Sequence, residues 1–213
     1  MDQLQQLYQA THGNKKVAPI VQRPVDFEQI NAFLPDRFTQ LTPLLESLFL
    51  NLEQDAVDII LIPNITLHVA VDRLTLADET RGKIVHPISL GIEKLQADTI
   101  KQITLVGTRH TMQLTLIAQY FERRDIEVLP CNNEDIEALD KIRIEVFREG
   151  FSKPTSEEMF DIFSRYSNVV IACTELSILN IGTETDNDSD SDDNSNNVID
   201  LARLQIAKTI ALI

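Results

Sequence analysis

The most constraining feature of this chain is an alternation. Short runs rich in β-branched residues recur at Ala18–Gln22, Asp58–Pro63, Ile103–Gly107, Ile126–Pro130 and Asn168–Ala172, with Ile84–Ile88 a weaker member of the set. Between them lie segments of helical period: Leu41–Gln54, Leu67–Thr80, Met112–Arg124, Glu134–Arg148 and Ser156–Ser167. Apolar runs without polar alternation are buried on both faces, and helices between them are the usual means of covering a parallel sheet. The pattern predicts an α/β fold in which parallel sheet is flanked by helices. In such folds ligands collect beyond the carboxyl ends of the strands. "LIPNITLH" (Leu61–His68) and "VIACTELS" (Val170–Ser177) are both strand, polar turn with Thr, then helix, an echo that suggests two similar lobes.

Composition narrows the partners. A formal charge of −14 argues against nucleic acid or an anionic membrane surface, which both need a basic face. Part of that charge is local: the tract Gly182–Asn197 holds Glu184, Asp186, Asp188, Asp190, Asp192 and Asp193 and no apolar residue. Alternating aspartates resemble a calcium loop, but the sixth position lacks Gly and the twelfth is Asn197, so a solvated acidic loop is expected. No apolar run reaches the ~18–20 residues needed to span a bilayer. "MDQLQQLYQA" lacks the basic and apolar regions of a secretory leader. Cys131 and Cys173 give neither a metal-binding spacing nor a disulfide framework, as in a cytoplasmic protein with reduced thiols.

Cys173 stands where the run "NVVIA" ends and Thr174 and Glu175 open the next helix. Backbone N–H groups and the helix dipole at such a place favour a thiolate, although a buried structural cysteine is the commoner occupant. Cys131, before the capping segment of the following helix, reads as structural. Thr66 reads as a helix cap and His68 as a first-turn residue. "GTRHTM" (Gly107–Met112) is a strand-to-helix turn with two hydroxyls, suited to a carboxylate or phosphate. It lacks the Gly-rich spacing of a nucleotide loop, which excludes NAD and ATP. Arg148, ending a helix, either reaches an anion or is simply solvated. No Ser-His-Asp ordering or His/Glu metal cluster stands out.

Taken together these segments resemble the cofactor-independent aspartate/glutamate racemase family. "LIPNITLH" is similar to its first active-site motif, P-C-N-T-A-H; "LVGTRHTM" to L-L-G-T-R-x-T-M; and "ACTEL" to G-C-T-E. "RPVDFEQI" resembles the stretch containing V-D-F, "IEVLP" the strand after the third motif, and "IRIEVFREG" an E-x-x-x-G helix end. "VIDLARLQIAKTIAL" resembles the closing V-I-D-T-x-x-x-H-A helix. The resemblance implies two pseudo-symmetric α/β lobes with the active site in the cleft between them. It places residues 1–90 with 198–213 in the first lobe and 91–181 in the second, with 182–197 as the acidic disordered loop. It also implies no cofactor, a small amino-acid substrate and a homodimer. One thiolate removes the Cα proton and a facing thiol returns one. By the same resemblance Cys173 is catalytic, Thr66, Thr111 and Thr174 bind substrate with His68, Glu175 lies near the ammonium, and Arg148 clamps a carboxylate.

Two departures stand out. Asn64 occupies the position of the family's other cysteine, and an amide neither takes nor gives a proton usefully near neutral pH. The family's first strand and its Gly-rich loop have no counterpart before the helix Asp2–Ala10, as in a chain with a misplaced start or a repurposed relative. The expected function is therefore aspartate/glutamate-type racemisation, altered or reduced by Asn64. A catalytically silent binding protein and a single-thiol lyase or decarboxylase are the alternatives.

Overall fold

The computed structural model describes residues 2–13, 15–34, 37–113, 115–179 and 197–213. The chain forms two compact units, Met1–His86 with Arg203–Ile213, and Pro87–Ala202.

In the first unit come α1 (Asp2–His12), α2 (Phe27–Asn31), α3 (Thr42–Gln54), α4 (Leu67–Val71) and α5 (Asp78–Gly82). Here the sequence expectation needs correcting. A parallel sheet was expected, yet among the described residues the unit holds one parallel bridge, Ile60 with Ile84, closed by Ile60 N–H to Lys83 O (2.8 Å) and Val85 N–H to Ile60 O (3.0 Å). Residues 18–22 pass without strand pairing, because their local contacts go elsewhere. The Ala18 N–H donates to Gln5 Oε1 (3.1 Å) and Gln5 Nε2 donates to Lys16 O (3.0 Å). Pro19 also removes one ladder donor from the run. A small core of Leu4, Tyr8, Ala18 and Ile210 forms instead, with Leu61 and Ile206 packed against it.

The helix expected over Leu67–Thr80 also divides, into α4 and α5. Leu74 turns inward and is buried, its carbonyl accepts from Arg81 Nη2 (2.8 Å), and Ala77 takes an extended ψ of 146°.

The second unit contains α6 (Pro87–Ala97), β1 (Gln102–Val106), α7 (Arg109–Gln113), α8 (Thr115–Glu122) and β2 (Glu127–Leu129). It continues with α9 (Asn133–Glu149), α10 (Lys153–Phe163), β3 (Asn168–Ile171), α11 (Thr174–Leu179) and β4 (Asn197–Asp200). The strands form one all-parallel sheet, order β2-β1-β3-β4. Val106, Val169 and Ile171 point into a core with Leu139, Ile142, Met159, Phe163 and Leu176 from α9, α10 and α11. Ile103, Leu105 and Val170, one step out of phase, are equally buried, which is why the runs read as continuously apolar. Each such side chain contributes roughly 1.5–3 kcal/mol by leaving water.

Capping fixes the ends of α9. Asn132 Oδ1 accepts from Asp135 N–H (2.7 Å), and Gly150, at φ +82°, stops the helix in a conformation that suits glycine. The acidic tract lies outside the described residues up to 196, and Asn197 opens β4. Asp200 Oδ1 then accepts from Ala202 N–H (3.0 Å), starting α12 (Leu201–Leu212).

Candidate active site

The carboxyl ends of β1 and β3 carry the reactive residues of the second unit. Adjacent parallel strands stop together here, with Val106 paired to Ile171 and Ala172 N–H donating to Val106 O (2.8 Å). Cys173 follows two residues after β3. The turn after β1 lies against the same place: a Cβ on Gly107 would stand 3.1 Å from Ala172 O and 3.2 Å from the Thr111 side chain. A side chain here would force Ala172 O or Thr111 to give way by a few tenths of an ångström, which glycine avoids. Thr108 caps α7 by accepting from Thr111 N–H (3.1 Å), and the two hydroxyls are 3.0 Å apart.

Cys173 is buried, and its Sγ–H donates to Glu175 Oε2 (3.0 Å), which also accepts from Thr174 Oγ1 (3.1 Å). Thr174 and Glu175 are half-buried. The sequence suggested a lowered thiol pKa. The structure reverses that sign. Burial pushes the Cys173 thiol far above its ordinary range, the Glu175 charge adds to the rise, and the N–H groups of Leu176 and Glu175 pull against it without prevailing. What results is a protonated thiol with a carboxylate acceptor in contact.

Arg148 lies on the exposed last turn of α9, two turns beyond Asp140. Asp140 of α9 meets the segment after β1 by accepting from Arg109 N–H (3.4 Å), and it also accepts from Arg143 Nε of its own helix (3.0 Å). Arg109 was not singled out from the sequence, and the pairing in Asp140 has no local signal. Cys131 keeps its structural reading. It is buried, its Sγ is 3.2 Å from Tyr166 Oη, and Tyr166 donates to Asp135, which also pairs with Arg165 (2.6 Å).

In the first unit, Asn64 and Thr66 are half-buried on the turn between residue 62 and α4. Thr66 stands at the N-cap position just before α4 but makes no side-chain cap. Asn64 takes that part: its Oδ1 accepts from Leu67 N–H (2.9 Å). The carboxamide thus satisfies one of the orphan donors that begin a helix, the role the sequence had suggested for Thr66.

His68, expected among the substrate-binding residues, is 0% exposed. Its Nε2 lies 3.1 Å from Ile62 O and its ring packs edge-on to His86, centroids 4.6 Å apart. Burial lowers its pKa to about 4, with His86 adding to the drop and the Ile62 carbonyl and Asp72 opposing it. It is a neutral core histidine. Gln205, from α12, reaches the same place and was not foreseen: its Nε2 donates to Val85 O (2.8 Å) and Ile62 O (3.3 Å). A contact spanning that much sequence leaves no local trace.

Among the described residues no group of His, Cys, Asp and Glu could hold a metal ion, and no helix is long and apolar enough to cross a membrane.

No curated protein sequence matches the chain. Solved structures share its fold. A Yersinia pestis protein described as a candidate Asp/Glu racemase superposes with a TM-score of 0.73 at 19% identity, over 99% of this chain and 90% of the other. An aspartate racemase homologue from Pyrococcus horikoshii gives 0.75 at 19% identity, over 99% and 91%. Aspartate racemase from Picrophilus torridus gives 0.63 at 17% identity, over 98% and 89%. The family described as Asp/Glu/hydantoin racemase matches residues 1–208, nearly the full sequence and all the motifs above. By that match the chain belongs to the Asp/Glu/hydantoin racemase family.

Proposed function

We propose that the protein is a cofactor-independent amino-acid racemase acting on aspartate- or glutamate-type substrates, as a homodimer, with one thiol in place of two. The observation that carries this reading is the Cys173–Glu175 contact at 3.0 Å, beside the Thr108–Thr111 turn at the carboxyl edge of the sheet. Family membership supplies the reaction class.

In this reading the substrate ammonium pairs with the Glu175 carboxylate on arrival and the Cys173 proton leaves to solvent, giving a thiolate. The thiolate takes the Cα proton, and the electron pair left on Cα delocalises into the α-carboxylate. Hydroxyls of Thr111 and Thr174 stabilise that charge as it develops. Because burial and the Glu175 charge hold the resting thiol protonated, activation needs a cation. The substrate ammonium at Glu175 supplies it, removing the second cause of the raised pKa. Asn64 cannot return a proton. Reprotonation by Cys173 restores the starting enantiomer, and reprotonation by water from the other face inverts it. Exchange with solvent therefore outruns inversion.

The test is a Cα deuterium-exchange assay in D₂O with L- and D-aspartate and glutamate. Exchange should exceed inversion several-fold and fall at least ~100-fold in Cys173→Ala, the scale of lost acid–base catalysis. Exchange unaffected by Cys173→Ala rules the assignment out. A second reading, a silent family member that binds without turnover, is favoured by the Asn64 side chain being occupied as a cap. No exchange on any acidic amino acid, with binding retained, selects it.

A further inference from the structure

The carbonyl oxygen of Ile62 has three N–H neighbours. Asn64 N lies at 2.8 Å, His68 Nε2 at 3.1 Å and Gln205 Nε2 at 3.3 Å. A carbonyl offers two lone pairs, so three donors crowd one acceptor and restrain it strongly.

The two side chains have little freedom in how they do this. Gln205, 2% exposed, directs one amide hydrogen to Ile62 O and the other to Val85 O at 2.8 Å. Among the described residues His68 Nδ1 is buried without a hydrogen-bond partner. If Nδ1 carried the proton, a buried donor would be orphaned and the bare Nε2 would face the carbonyl lone pairs. With the proton on Nε2, only an acceptor is left unfilled, and the 3.4 Å approach of Gln205 Nε2 to His68 Nε2 is a meeting of two donors on one oxygen. The Nε2–H tautomer follows.

Two buried polar side chains thus converge on one backbone atom, each at a desolvation cost that an apolar pair would avoid. That atom governs the turn carrying Asn64 and Thr66. Pro63 fixes its own φ, Asn64 N–H closes back onto Ile62 O, and Asn64 Oδ1 then takes Leu67 N–H at 2.9 Å. We propose that His68 and Gln205 are positioning residues, which set the Pro63–Thr66 turn by jointly holding the Ile62 carbonyl. The functional part of this rests on the reading of Thr66 as a substrate-binding residue.

Gln205→Leu is the decisive variant, close in volume and without a donor. Loss of one or two buried hydrogen bonds predicts an increase in KM of about tenfold with kcat held within about threefold. The Leu67 amide should also exchange about tenfold faster with solvent. A merely structural role lowers the number of working molecules, so kcat falls at unchanged KM, and that result overturns the proposal. Unchanged Leu67 exchange overturns it as well. The wild-type ¹⁵N spectrum of His68 gives an independent measure should Gln205→Leu not fold: the Nε2–H tautomer is expected, and an Nδ1–H tautomer overturns the arrangement. If wild-type protein exchanges no acidic amino acid, the racemase reading fails, while Leu67 exchange and the tautomer still decide the turn.

Discussion

Acidification should remove stability from this protein through His68, by an amount the structure sets. Its pKa is about 4 in the folded chain against 6.5 unperturbed, a gap of roughly 2.5 pH units. At ~1.4 kcal/mol per unit this is about 3 kcal/mol. The direction follows from where the protons go. Between pH 6.5 and about 4 the unfolded chain protonates the imidazole while the folded chain refuses it. Stability is therefore complete above the upper value, falls as pH drops through the window, and levels off below the lower one. The physical cause is that a proton on Nδ1 would sit buried with no acceptor, beside a second imidazole, and the Asp72 charge compensates only in part. Urea unfolding of wild type and His68→Gln at half-unit intervals from pH 4 to 8 isolates the effect, since carboxylates common to both cancel. The wild type should lose about 3 kcal/mol more than the variant across the window. Matching slopes, or a His68 ring titrating near 6.5 by NMR, would refute the reasoning.

Glu175→Gln should lower the thiol pKa of Cys173 without bringing it to the ordinary range, because burial, the larger cause, remains. In a Cys131→Ser background, the pH of half-maximal alkylation by iodoacetamide should fall, and an unchanged value would remove Glu175 as a cause. Asn64→Ala should cost about 1 kcal/mol through loss of the Leu67 cap, while Asn64→Asp, which keeps the acceptor, should stay within a few tenths in urea unfolding. Equal losses for the two variants would mean that Asn64 acts otherwise.

The second unit was legible because its strands carry their own signature. Val169, Val170 and Ile171 are all buried, so burial on both faces is written in consecutive letters. Residues 18–22 carry much the same letters and form no strand. What differs is a partner: β3 has β1 and β4 on either side, whereas the Ala18 N–H is taken by a glutamine of α1. Pairing is a property of two segments, and the composition of one cannot report it. The break between α4 and α5 was hidden for a similar reason. The helical period of residues 67–80 does not reveal that Leu74 turns into a core and gives its carbonyl to Arg81.

At the candidate site, the local grouping of side chains was legible and their protonation was not. Cys173, Thr174 and Glu175 stand together because they are neighbours in sequence, and the strand-to-helix turn is a local event. The charge on the thiol is a contest between two terms of different reach. Helix-end N–H groups are local and worth roughly 0.3–1 kcal/mol, whereas full burial shifts a group by up to ~3–5 pH units, or ~4–7 kcal/mol. Depth therefore wins, and depth depends on α9, α10 and β1 closing over the strand end. The consequence is chemical. A thiol already ionised would be alkylated or oxidised whether or not substrate were present. In the proposed racemase reading, one held protonated against a carboxylate is easier to ionise once a positive group reaches that carboxylate, so the burial that hides the base would also tie its activation to an ammonium.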